Sequence, residues 1–316
     1  MNQTKSSTKI AGIDVGKKSL EVAIGEHEAI LRFSNDTAGH DELVSRLAQL
    51  GVGRVGIEAT GGYERAVCVR LQAAGVEVVL HQPLEVRLFA RLNRQRAKTD
   101  RLDARLIAAA TAHRDGLKAA ADPRLAELAE RLTAYEQATD LVSQLKTHLE
   151  HTHLPDLVQK LQAQLTALRA HKKALARDLE KRLTAHADLH RRFELVRSLP
   201  GVGVIVALAI VIRMPELGHM QHGQPAALLG VAPFAHDSGT HKGQRFIAGG
   251  RHRPRRLLYL AALAAKRCDP AFKTFADRLA AAGKPPKLIV VAVMRKLIEA
   301  ANLVLARNTR WIPQQN

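Results

Sequence analysis

Only two cysteines occur in 316 residues, Cys68 and Cys268, in unrelated contexts and without metal-ligand spacing. That excludes a disulfide framework and a cysteine zinc site and suits a reducing cytosol. Aromatic residues are scarce, at 3%, so base stacking is not expected to dominate any contact with nucleic acid. Long apolar runs are missing: the longest, residues 199–212, is too short for a membrane span and contains Pro200 and two glycines. The leader MNQTKSSTK is polar with no apolar segment behind it, so no membrane association is expected. Acidic residues are also in deficit. There are 30 against 48 lysines and arginines, a formal net charge of +18 with an isoelectric point near 10.4, which points to a polyanionic partner.

What is present is ordinary for a globular chain, with 46% hydrophobic and 25% charged residues. The basic excess is uneven. Residues 1–110 carry 16 basic and 13 acidic side chains, residues 111–240 carry 16 and 14, and residues 241–316 carry 16 and 3. The last quarter is therefore expected to form the electropositive surface. If it neutralises six or more phosphates, affinity should fall about a thousandfold between roughly 50 and 200 mM salt.

Three modules are expected, over residues 1–120, 121–195 and 196–316. In the first, KIAGIDVG, SLEVAIG and AILRFS read as a meander of three short strands. A helix at 41–50, the strand VGRVGIEA, a helix at 63–74 and the strand VEVVLHQ follow, then helices opened by Pro83 and spanning 99–112. The result is α/β, a mixed sheet with helices on it. In the second, glycine is absent and leucine recurs at three- and four-residue steps, from Leu125 to Leu149 and again from Leu157 to Leu183. This is an antiparallel helical hairpin turning near 153–156, and its narrow stripe suits either dimerisation or an internal bundle. The third opens with SLPGVG before an apolar helix, similar to a helix-hairpin-helix, whose turn around Gly201 and Gly203 offers backbone N–H groups to a phosphate. A Gly-, Pro- and His-rich loop region runs over 218–250, and helices at 255–266, 270–281 and 286–307 close the chain.

Four acids could do chemistry. Asp14 in GIDVGK and Glu58 in GIEATGGYE end apolar strands, where a carboxylate is costly to bury without a metal or hydrogen-bond partner. Asp100 and Asp103 in AKTDRLDAR share a helix face. Oxygen ligands of this kind suit one or two Mg²⁺ ions, which act in phosphoryl transfer. Each acid alone also has a bland reading, as a turn former or a solvated ion-pair partner. Ser238, in HDSGTHKGQR, is surrounded in sequence by Lys242, Arg245, Arg251, Arg253, Arg255 and Arg256. A serine attacking phosphorus needs such charge, although Asp-Ser-Gly alone reads equally as a flexible loop.

GIDVGK, GIEATGGYE, KTDRLDA, SLPGVG and APFAHDSGTHKGQR followed by GGR occur in that order, and with them the chain resembles the bridge-RNA-guided DEDD transposases of the insertion-sequence-110 family. The likeness covers nearly the whole chain. It implies an RNase H-like, RuvC-like N-terminal domain whose metal-holding acids are Asp14, Glu58, Asp100 and Asp103, and a C-terminal transposase domain whose catalytic serine is Ser238. It also implies double-stranded DNA partners (element ends and target), a structured bridge RNA and a prokaryotic, nucleoid-associated cytoplasmic setting. With the acids and Ser238 in different modules, a homo-oligomer, a dimer or dimer of dimers, is expected to complete the site. Three alternatives stay open: a RuvC-like metal-dependent junction-resolving or RNA-processing nuclease using water, an actin- or sugar-kinase-like ATPase that shares the GIDVG strand, and a non-catalytic RNA- or DNA-binding scaffold.

Overall fold

Along the first strand, β1 (Lys9–Val15), Ala11, Ile13 and Val15 are buried in one apolar cluster while Gly12 and Asp14 face the other way. This period-two alternation organises the first unit. The computed structural model describes residues 9–25, 30–93, 100–113, 122–234 and 245–312, with backbone alone for 100–102. It divides into two compact units, Met1–Ala120 and Ala121–Asn316.

In the first unit β1, β2 (Ser19–Ile24) and β3 (Leu31–Ser34) form an antiparallel meander. Then β4 (Val52–Glu58) and β5 (Glu77–His81) add in parallel on the other side of β1, giving the order β3-β2-β1-β4-β5. The helices α1 (Thr37–Gln49) and α2 (Arg65–Ala73) pack Leu43, Leu47, Val67 and Leu71 onto the apolar face. Asp36 caps α1 by accepting the Gly39 N–H at 2.9 Å. On the opposite face lie α3 (Pro83–Leu92) and α4 (Asp100–Ala112), joined by Val86, Leu106 and Ile107. A Cβ on Gly12 would collide with the backbone of Ala104 and Ala108, and one on Gly56 with the Thr111 hydroxyl. These two missing side chains let α4 lie close on the sheet.

In the second unit α5 (Pro123–Glu150) and α6 (Pro155–Thr184) form the antiparallel hairpin, crosslinked by Arg131–Asp178 at 3.2 Å and Arg182–Glu127 at 3.6 Å. The sequence reading separates this hairpin from the C-terminal module. In the structure the two share one core, because Leu128, Leu132, Leu179 and Leu183 at the hairpin base pack into the same cluster as Phe193, Leu208 and Leu297. There α7 (Ala187–Arg197) leads to the apolar α8 (Val204–Arg213), and α10 (His252–Cys268), α11 (Pro270–Ala281) and α12 (Pro286–Arg307) enclose it. The loop region 218–250 contains a short helix, α9 (Gln224–Leu229), and a two-stranded ribbon of β6 (Pro233–Phe234) and β7 (Phe246–Ile247). Among the described residues no helix is long and apolar enough to cross a membrane.

Candidate functional site

The sheet register places the acids. Gly12 pairs with Ala23 on β2 and with Gly56 on β4, which pairs with Val79 on β5, a row of small residues beneath α4. One step on, Asp14 pairs with Glu21 and Glu58 pairs with His81. Ile13 pairs with Ile57, so Asp14 and Glu58 are neighbours on parallel strands. Glu21, Asp14, Glu58 and His81 therefore form a second row on the α4 face, at the carboxyl ends of β1, β4 and β5. Asp103 immediately precedes Ala104, the α4 residue whose carbonyl sits over Gly12. Asp100 opens α4, and its side chain lies outside the described residues.

Two further residues shape the loops beside this row. The Glu64 carboxylate, 8% exposed, accepts the N–H groups of Thr60 at 3.1 Å and Gly62 at 2.8 Å. It closes the loop after Glu58, in which Gly61 and Gly62 take φ of 75° and 115°. Asn35 donates to the Gly16 carbonyl at 2.8 Å and the Tyr63 carbonyl at 3.2 Å, tying the GIDVGK turn to the GIEATGGYE loop. Its own amide oxygen is 2.7 Å from His40 Nε2, and burial lowers the His40 pKa. His81 is 2% exposed. Its Nε2 lies 2.8 Å from the Thr111 hydroxyl, which itself donates to the Ile107 carbonyl at 2.6 Å. The imidazole therefore carries its proton on Nε2. Nearby, Cys68 is no nucleophile: burial, with the Glu64 charge adding to it, pushes its thiol up to about 12.

Among the described residues no three His, Cys, Asp or Glu side chains are gathered as a ligand group. The register aligns Asp14 and Glu58; it does not close them with Asp103 around one point. The donor set is nonetheless all oxygen, which suits a hard cation. Next to Asp14, the Glu21 atom Oε2 is buried without a hydrogen-bond partner among the described residues. An orphaned carboxylate oxygen beside a second carboxylate is the feature that a cation would satisfy. Sequence reasoning passed over Glu21, although a lone acid facing Asp14 across a hairpin was readable from SLEVAI. Asn35 and Glu64 carried less signal, because their roles depend on where the loops meet.

In the second unit the cations selected from the sequence divide sharply. Arg251 binds Glu216 at 2.6 and 2.8 Å. Arg253 reaches Glu136 at 2.7 Å and the Thr133 hydroxyl at 3.0 Å. Arg255 donates to the carbonyls of Gly230 and Gly249 at 3.0 and 2.8 Å, and Arg256 pairs with Asp140 at 2.6 Å. All four guanidiniums thus have partners within the unit, while Arg245 is exposed. Ser238 and Lys242 lie outside the described residues; the ribbon Pro233–Phe234 with Phe246–Ile247 brackets the segment that holds them. In the SLPGVG turn Gly201 has φ of 72°, and a Cβ there would collide with the backbone of Ala261 and Ala265 on α10. Gly203, at the N-terminus of α8, faces open space.

Two family models match the chain: the DEDD transposase model, described as a transposase, over residues 11–157, and one described as a transposase of the IS116/IS110/IS902 family over residues 193–277. Among curated proteins, a 43.6 kDa protein of insertion element IS110 from Streptomyces coelicolor is 28% identical over 59% of this chain, which spans 45% of that relative's length. A pilin gene-inverting protein of Moraxella bovis is 24% identical over 94% of this chain and 95% of its own. Among solved structures, T. thermophilus RuvC in complex with a Holliday junction substrate is 16% identical, covering 33% of this chain and 92% of its own at a TM-score of 0.28. The family models and the Moraxella bovis relative define the class, a DNA transposase or recombinase. The chain belongs to the insertion-sequence-110 family of transposases.

Proposed function

We propose that this transposase moves an insertion sequence by cutting and exchanging DNA strands through a covalent serine–DNA intermediate, directed to its sites by a structured bridge RNA. The observation that carries the reading is the row Glu21–Asp14–Glu58 on the α4 face, with Asp103 on the helix above it. The mixed sheet with α4 closely packed on it supports an RNase H-like, RuvC-like module, and the name of the Moraxella bovis relative supports strand exchange over simple hydrolysis.

In this reading Asp14, Glu58, Asp100 and Asp103 hold Mg²⁺, one ion or two. When bound, Mg²⁺ supplies positive charge to the phosphate undergoing displacement. The Ser238 hydroxyl oxygen forms a bond to phosphorus and gives up its proton, while the phosphorus–oxygen bond to the DNA strand breaks and the departing DNA hydroxyl takes up a proton. One phosphodiester replaces another, so the bond energy is kept for rejoining. Asn35 and Glu64 hold the loops beside Asp14 and Glu58, and the exposed Arg245, with Lys242 three residues before it in the sequence, supplies charge to the phosphate. The SLPGVG turn, read as part of a helix-hairpin-helix, meets a phosphate through the open side of Gly203. The working form is a homo-oligomer joined through the hairpin.

The test uses the full chain with its RNA, labelled element-end DNA and Mg²⁺. A protein–DNA adduct that survives denaturant is expected, and it should be lost in Ser238→Ala and in Asp14→Asn. Glu21→Gln should slow adduct formation about 10- to 100-fold, as removal of a supporting carboxylate does at metal sites. Cleaved DNA without any adduct, at equal rates in wild type and Ser238→Ala, would replace this reading with a nuclease that uses water.

A further inference from the structure

The sixteen cations of residues 241–316 divide into those that build the fold and those that do not. Arg251, Arg253, Arg255 and Arg256 are held by carboxylates and carbonyls of their own unit, and Arg310 by Glu194 at 3.0 Å. Around the α11–α12 corner the pattern is the reverse. Lys273 and Arg278 on α11, Lys284 in the connection, and Lys287, Arg295 and Lys296 on α12 are all exposed, and no ion pair to any of the six is found among the described residues. Acids cannot balance them. Asp269 is spent capping α11 through the Phe272 N–H at 3.0 Å, and Glu299 is engaged by His222 at 3.3 Å and the Gly223 N–H at 3.1 Å. Asp277 alone shares the solvent face of α11.

Phe275 shows how tightly the charge is gathered. Lys296 Nζ lies 4.1 Å from its ring centroid, and the Arg278 guanidinium carbon 5.5 Å. Two like charges converge on one aromatic ring from two helices. The ring offsets part of their repulsion, and a polyanion laid across them would remove the rest.

We propose that this corner is the surface on which the protein holds the phosphate backbone of duplex DNA. This rests on the reading of the chain as a DNA recombinase, and it moves the principal phosphate contact away from the arginines that follow Ser238. A duplex fits better than a single strand. Single strands are gripped by stacking bases on open aromatic faces, and here Phe275, the ring between α11 and α12, is covered by cations. A duplex presents one phosphate charge per about 1.7 Å of its axis, so a two-helix face carrying six cations meets several at once. Lysine and arginine heads grip phosphate without reading bases, as an enzyme whose sites are chosen by an RNA requires.

The experiment measures binding of a labelled 30-bp DNA duplex, about three turns, to the full chain as a function of salt. Replacing Lys284, Lys287, Arg295 and Lys296 together with glutamine should reduce the slope of log affinity against log salt by about 3 to 4, and affinity at about 0.1 M salt about a thousandfold. The pair Lys284→Gln with Lys287→Gln, which leaves Phe275 and its cations intact, should reduce the slope by about 2 and guards against a folding defect in the fourfold variant. Arg256→Gln, at a cation already paired with Asp140, should leave the slope unchanged. If wild type binds the duplex with a steep slope and both variants keep it, this surface is wrong while the recombinase reading stands. The surface is refuted in the same way if the variants lose slope on an RNA duplex alone. If wild type shows no salt-dependent duplex binding, both readings fall.

Discussion

Gly12 has a definite mechanical task. Its missing side chain admits the backbone of Ala104 and Ala108, and so sets how closely α4, and Asp103 with it, approaches the strand that carries Asp14. A methyl group there cannot be absorbed by a flexible neighbour, because what it meets is backbone. Gly12→Ala is therefore expected to destabilise the first unit by about 2–3 kcal/mol through overpacking, read as a lower urea midpoint for the transition of that unit. Gly203, with φ of −81° and open space around it, is the contrasting case. Gly203→Ala should change stability by less than about 0.5 kcal/mol; a comparable loss at both sites would refute the close-approach argument. The GIDVGK motif thus displayed its aspartate in the sequence and concealed the work of its first glycine, which only the path of α4 discloses. The same holds for Glu64, whose carboxylate is an acid in the motif and a loop clasp in the fold.

Among the elements, the hairpin shows what periodicity can and cannot tell. Leucine steps of three and four residues located α5 and α6 and their turn, since the helical period is a property of the local chain. They could not tell which leucines would be covered. Leu128, Leu132, Leu179 and Leu183 at the base are buried with the C-terminal helices, whereas Leu141, Leu154 and Leu157 toward the tip are between 41% and 62% exposed. Leu183→Ala should cost about 2–5 kcal/mol, by cavity formation in that shared core. Leu157→Ala should cost under about 0.5 kcal/mol in stability while weakening self-association, as sedimentation velocity would measure if the tip is the oligomer contact. The helix α9 and the ribbon of β6 and β7 were not readable in advance, because six residues and two pairs of residues are too short to display a period. The strands of the first unit were readable, because apolar residues recur at every second position and the acids fall out of step with them.

At the scale of the whole molecule, both units hold carboxylates low, Asp36 in the first through the Gly39 N–H and the Ser34 hydroxyl, but the first adds a histidine that answers acid sooner. In the first, burial holds the His40 pKa below that of a free histidine, despite the opposing charges of Asp36 and Asp41. A base held below its unfolded value favours the native state only while neutral. Its contribution is complete above about pH 6.5 and declines as pH falls through that value, when the unfolded chain takes up the proton first. In the second unit the relevant groups are acids. Hydrogen bonds from Arg124 hold Asp122 and Asp188 below the usual carboxylate range, and Arg182 does the same for Asp178. Burial pushes the Glu216 carboxyl up, but its hydrogen bonds, chiefly from Arg251, outweigh that and leave it lowered. Stability from depressed acids is present above about pH 4 and is lost as pH falls through their lower native values. Far-UV circular dichroism and calorimetry of the full chain between pH 7 and 2 should therefore show the first unit weakening from about pH 6.5 and the second holding until about pH 4. His40→Gln should remove the upper window alone. Arg124→Gln, which frees Asp122 and Asp188 but leaves Asp178 and Glu216 held low, should make the lower one shallower, and a transition of the second unit that kept its acid midpoint in that variant would show that the Arg124 pairs contribute nothing to it.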